Sequence, residues 1–103
     1  MFIQQGDVKI ISAKIPASAT VKQNHVRGVV LAEGETTGHA HVITSTDDAI
    51  LLEDNGAMYL CVLRETVVKH EEHKQVTVPA GDYSVSIVQE YDHFSEEAKS
   101  VQD

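Results

Sequence analysis

Four of the six histidines in this chain of 103 residues fall in two close pairs. His39 and His41 lie in Gly38-His39-Ala40-His41-Val42, and His70 and His73 enclose Glu71 and Glu72. In an extended segment, side chains at i and i+2 project from the same face. The His-x-His pair therefore offers two imidazoles to one ion. His70 and His73 would face opposite ways on a regular strand, so both reach a common site only across a turn or in a helical turn. Neutral imidazole is a common ligand of zinc, nickel, copper and iron, and a single cysteine leaves no thiolate set to compete. Four histidines would close a tetrahedral site, whereas three leave one position for water, the catalytic arrangement. Activating that water takes a nearby carboxylate, and Glu71, Glu72 and Glu35 are the candidate general bases. His-Glu-Glu-His is not the helical His-Glu-x-x-His of metalloproteases, because its histidines are one position too close. Two plainer readings stand beside the metal site. The histidines are polar residues of sheet surfaces and turns, or they form a cluster that protonates between about pH 5 and 7 and switches an interface. His25 and His93 have no close partner and read as surface residues.

Other chemistry is less well marked. Cys61 sits in the apolar run Met58 to Leu63 and reads as a buried structural thiol. No Gly-x-Ser-x-Gly turn exposes a serine nucleophile, and the scattered glycines form no nucleotide-binding loop. Thr46-Asp47-Asp48 has hard-cation donors but reads as a solvated loop.

The elements that must position the histidines are short strands. Val, Ile and Thr alternate with polar residues between strong turn signals, which predicts an all-β chain of about seven or eight strands. A first strand is expected over Val8 to Ile15, with a bulge where Ile10 and Ile11 break the alternation, and Pro16 ends it. Val26 to Ala32 forms a second apolar segment, running into a turn at Glu33-Gly34-Glu35. Asn55-Gly56 predicts a type I′ hairpin between Ala49–Glu53 and Ala57–Glu65. Val67 to His70 and Gln75 to Val78 form a further short pair, and Val78-Pro79-Ala80-Gly81 a type I turn. Tyr83, Val85 and Ile87 then alternate with Ser84 and Ser86 as a half-buried strand. The polar tail, residues 92–103, has room for one helical turn capped by Ser95. The expected architecture is one domain over residues 1–103, a small antiparallel barrel or sandwich.

Composition narrows the partners. Eight Lys plus Arg against sixteen Asp plus Glu give a formal charge of -8, which repels phosphate backbones, and 5% aromatic residues supply few rings for stacking bases. Nucleic acid is disfavoured. The chain has no apolar run near the roughly 20 residues that span a bilayer, and its start lacks the pattern of a signal peptide. With one cysteine and no disulfide framework, a soluble, cytoplasmic protein is expected.

Gly34, His39, His41 and the Pro79-Ala80-Gly81 turn resemble the motifs of cupins, small metal-binding β-barrels with a His-x-His pair. The spacing from Gly34 to His39 is one residue short, no glutamate follows His41 at the motif's place, and Ser84 stands where its later histidine would. The cupin ligand set does not carry over whole. A closer resemblance covers nearly the full chain. It is to a family of small, uncharacterised bacterial proteins with a Gln-Gly-Asp-Val element, a Gly-Glu-x-Thr-Gly-His-x-His motif, His-Glu-Glu-His, Pro-x-Gly-x-Tyr and Gln-x-Glu-Tyr. Here these are Gln5 to Val8, Gly34 to His41, His70 to His73, Pro79 to Tyr83 and Gln89 to Tyr91. The resemblance implies a single fold that contains both histidine pairs, and implies no activity.

Two functions follow as expectations. One is a small metalloenzyme, with hydrolysis of a small molecule the default chemistry of zinc-bound water. The other is a non-catalytic module whose histidines are structural, or hold a subunit interface. Exposed β edges favour a homo-oligomer in either case.

Overall fold

Alternating Val, Ile and Leu give each strand one apolar face, and the chain buries those faces by hairpin pairing. The computed structural model describes residues 1–34 and 38–88. Among them are ten strands: β1 (Phe2–Gln5), β2 (Val8–Ser12), β3 (Thr20–Val21), β4 (Val29–Glu33), β5 (Ala40–Ile43), β6 (Ala49–Asp54), β7 (Ala57–Val62), β8 (Thr66–Val68), β9 (Val76–Val78) and β10 (Gly81–Ile87). Every strand pairing is antiparallel. Six strands form one sheet in the order β1-β2-β10-β7-β6-β3, while β4-β5 and β8-β9 are two-stranded sheets. The architecture is all-β and sandwich-like, and it does not close into a barrel. Among the described residues, no helix is long and apolar enough to cross a membrane.

The core lies between the large sheet and the two small ones. Val8, Ile10, Leu51, Leu60, Val62, Tyr83 and Val85 come from one face of the large sheet; Val29, Leu31, Ile43, Val68 and Val78 come from the small sheets. Each such aliphatic side chain contributes roughly 1.5–3 kcal/mol on full burial. The small sheets are joined where Val42 and Lys69 exchange a pair of backbone hydrogen bonds, each 2.9 Å.

Several sequence expectations are revised. The strand beginning at Val8 ends at Ser12 and carries no bulge, because Ile10 and Ile11 pair in unbroken register with both β1 and β10. Ile10 enters the core and Ile11 lies half-buried on the opposite face. The irregularity falls instead in β4, between Val30 and Ala32. Val26 is 94% exposed and outside a strand, since His25 and Gly28 close a tight turn by two backbone bonds of 3.0 Å. Ile87 ends its sheet 46% exposed. The strands β1 and β3 lie at the two edges and raise the count above that expected. The tail, residues 92–103, lies outside the described residues.

The Asn55-Gly56 hairpin is as expected. Both residues have positive φ, 51° and 83°, and Asp54 pairs with Ala57 across them. That backbone suits a type I′ turn, which joins twisted strands without splaying them. Gly56→Val should therefore lower stability by about 1 kcal/mol or more, read as a fall in Tm, because a β-branched residue is strained at that φ. An unchanged Tm would argue against this turn.

Candidate metal centre

The Val42–Lys69 pair sets the geometry of the site. Continuing its antiparallel register places His41 opposite His70, Ala40 opposite Glu71 and His39 opposite Glu72. The side chains meet in that order. The rings of His41 and His70 have centroids 4.3 Å apart, the Ala40 N–H donates to Glu71 Oε1 at 3.0 Å, and His39 Nδ1 lies 3.7 Å from Glu72 Oε2. His73 follows as the chain turns back toward β9, its ring 4.6 Å from that of His70 and 5.9 Å from that of His41. His39 is 5.7 Å from His70. His70 thus stands at the centre, and the four histidines named from sequence come together. Of the candidate bases, Glu71 and Glu72 are beside them, and Glu35 lies outside the described residues.

Glycines make the room. The four histidines and Glu72 line a pocket of about 230 Å³ with Gly6, Asp7 and Gly34. Gly6, at φ 55° in the β1–β2 turn, lets the His73 ring pack on bare backbone: a Cβ there would lie 2.5 Å from His73 Nε2. A Cβ on Gly34 would meet His39 Cβ at 3.2 Å and His70 Nε2 at 3.6 Å. A neighbouring cavity of about 280 Å³ shares His70 and is lined by Ala40, Val42 and Thr44 with Arg27, Lys69 and Glu71.

The groups differ in protonation. His41 is 5% exposed, and its pKa is lowered to about 4, chiefly by burial and then by the positive charge His70 and His73 can carry. Burial thus favours its neutral form, the form that a metal would require. His70 Nδ1 accepts a 3.0 Å hydrogen bond from the Glu72 N–H. Glu71 is lowered to about 2, first by the Ala40 N–H, then by its own backbone N–H and by Arg27. Arg27 reaches Glu71 Oε2 at 2.6 Å and donates to Gly38 O at 2.8 Å, so Glu71 clamps the turn to β5. So weak a base suits positioning better than proton transfer. Glu72 has no such clamp and its side chain is 67% exposed at the pocket rim. Among the described residues, the group of His and carboxylate ligand atoms that all lie within 4.8 Å of one another is His39, His70 and Glu71, without His41 or His73.

Sequence reasoning about the site missed Gln5. It is buried, bonded to His41 and to two backbone carbonyls. Arg27, Gly6 and Asp7 were missed likewise. Only the Gln-Gly-Asp-Val element of the family resemblance marked any of them.

The fold and site define a small antiparallel β protein whose histidines gather where three sheets meet. Residues 4–88 match the family described as a domain of unknown function, DUF8820, and the chain belongs to it. No curated protein and no solved structure matches the chain.

The His41 pKa has a measurable consequence. Unfolded, His41 titrates near its ordinary 6.5; folded, near 4. Between these values the unfolded chain binds the extra proton, so this contribution to stability is complete above pH 6.5 and is lost as pH falls toward 4. Metal-free protein should show Tm falling over that window, with a smaller fall in His41→Gln. Identical pH profiles for the two proteins would refute the assignment.

Proposed function

We propose that this protein binds one divalent transition-metal ion, zinc by preference, through three imidazoles drawn from His39, His41, His70 and His73, and uses it to activate water against a small molecule in the cytoplasm. The observation that carries this reading is the convergence of four imidazoles from two distant segments on one pocket. Nickel, iron and copper suit the same nitrogen donors. Three imidazoles hold the ion and leave a position for water, with Glu72 as the general base at the rim. The adjoining cavity has room for a small substrate beside His70. Hydrolysis is the default chemistry, because bound zinc lowers the pKa of water toward 7.

Titration calorimetry on tag-free protein tests the metal. One zinc ion per chain is expected, with affinity falling at least about tenfold in His41→Ala and His70→Ala, since each removes a ligand. Binding should weaken below roughly pH 6, where protons compete for the imidazoles. Glu72→Gln should retain zinc and lose about 10²-fold or more in hydrolysis of an activated ester, the usual worth of a general base. Equal, weak, nonstoichiometric binding by native and variant proteins would remove the metal reading.

A second reading, an oligomeric module, draws on the face of the large sheet turned away from the core. There Phe2, Ile11, Ser84, Tyr59, Leu52 and Val21 lie side by side across all six strands. Phe2 is 57% and Val21 69% exposed. A second copy packed sheet to sheet would cover this row. Sedimentation velocity should then show a dimer that Tyr59→Glu converts to monomer; a monomeric native protein would exclude it.

A further inference from the structure

Gln5, at the end of β1, is 3% exposed and has both ends of its amide engaged. Its Nε2 donates to Val68 O at 3.0 Å and to Lys74 O at 2.8 Å, while Oε1 lies 2.8 Å from His41 Nδ1. Backbone carbonyls only accept, so the amide cannot be reversed without setting its oxygen against two others. That orientation decides the proton on His41. An amide oxygen also only accepts, so the 2.8 Å contact requires hydrogen on Nδ1. A neutral imidazole has one such hydrogen, which leaves the lone pair on Nε2.

We infer that Gln5 is a positioning residue that locks His41 in the Nδ1–H tautomer and so makes Nε2 its metal-binding atom. This rests on the metal reading above and adds to it the atom used and the group that selects it. His70 is set the other way. Its Nδ1 accepts from the Glu72 N–H, so neutral His70 carries its hydrogen on Nε2, and ligation there must move that proton and give up the bond. His41 is the pre-set anchor of the site, and His70 is recruited to it. The same amide grips Lys74 O, directly after His73, and so ties that end of the turn to the His41 ring.

Partners that orient a ligating histidine typically contribute about 10–100-fold in metal affinity. In metal-free native protein, two-bond nitrogen–proton NMR correlations should show His41 protonated on Nδ1. Gln5→Leu should lose that preference and bind zinc about 10–100-fold more weakly. Gln5→Glu keeps an oxygen for the Nδ1 hydrogen. It should keep the tautomer and bind zinc within a few-fold of native, even though it loses the two carbonyl bonds and melts lower. A purely structural Gln5 would lower affinity in step with Tm in both variants, and that pattern overturns the inference. So does an Nε2–H tautomer in the native protein, a measurement that requires neither variant to fold. If native protein binds no zinc but shows the Nδ1–H tautomer, and Gln5→Leu loses it, the lock stands and the metal reading fails.

Discussion

The site depends on one register, that of β5 against the segment leaving β8. Val42 and Lys69 hold it by two backbone hydrogen bonds, each of which contributes only about 1 kcal/mol net. Packing makes the register hard to change. On one side of the bridge, antiparallel pairing sets Ile43 against Val68, and both are 0% exposed. On the other side it sets His41 against His70. A slip of one residue would turn Ile43 out of the core and His41 away from the pocket together. The apolar pair thus enforces the alignment of the imidazoles, and the fold's largest energetic term is placed to hold its most polar cluster.

That cluster has a cost, which the surrounding hydrogen bonds offset. A buried imidazole and a buried amide would each lose solvation without a partner, at roughly 1–3 kcal/mol per unsatisfied group. Gln5 and His41 satisfy each other, and the spare amide hydrogens go to carbonyls that β8 and the following turn leave open. Glu71 works similarly at the rim, accepting from the Ala40 N–H that is freed where β5 meets the loop. Its ion pair with Arg27 is half-exposed and adds little stability of its own. What it adds is direction: Arg27 also bonds Gly38 O, so the loop before His39 and the turn after His70 share one cation.

Local patterns carried much of this fold. Asn55-Gly56 marked its hairpin because the two positive φ angles are a property of those residues themselves; of the His-x-His pair, His41 lies in β5 and His39 just before it, and both line the pocket. The strands β8 and β9 and the apolar face of β10 were legible for the same reason. What was not legible is pairing between distant segments. Nothing near His41 in sequence announces His70 as its neighbour, and nothing in Phe2–Gln5 announces a strand until β2 is there to pair with it. The part Gln5 plays was not legible for a related reason: the family element marked it, but a lone glutamine looks like surface until three partners from other elements enclose it. Ile10-Ile11 misled in the opposite way. Two adjacent apolar residues suggested a bulge, but the outer face of the sheet also has an apolar row, opposite Phe2 and Ser84, into which Ile11 fits.

The cupin resemblance places a His-x-His pair inside a closed barrel, and here the sheets stay open. The difference follows from chain economy: β4-β5 and β8-β9 are short hairpins that pair with one another through a single bridge and not with the edges of the six-stranded sheet. Their meeting point leaves a notch, and glycines at 6 and 34 keep it from filling with side chains. A notch at a sheet junction is open to solvent, while His41 within it is 5% exposed. One group of imidazoles therefore spans two environments. Burial favours the neutral form of His41, while His70 and His73 lie nearer the rim. An ion in such a notch would have a fixed ligand beneath it and a solvent-facing position above, the asymmetry that an open coordination site requires.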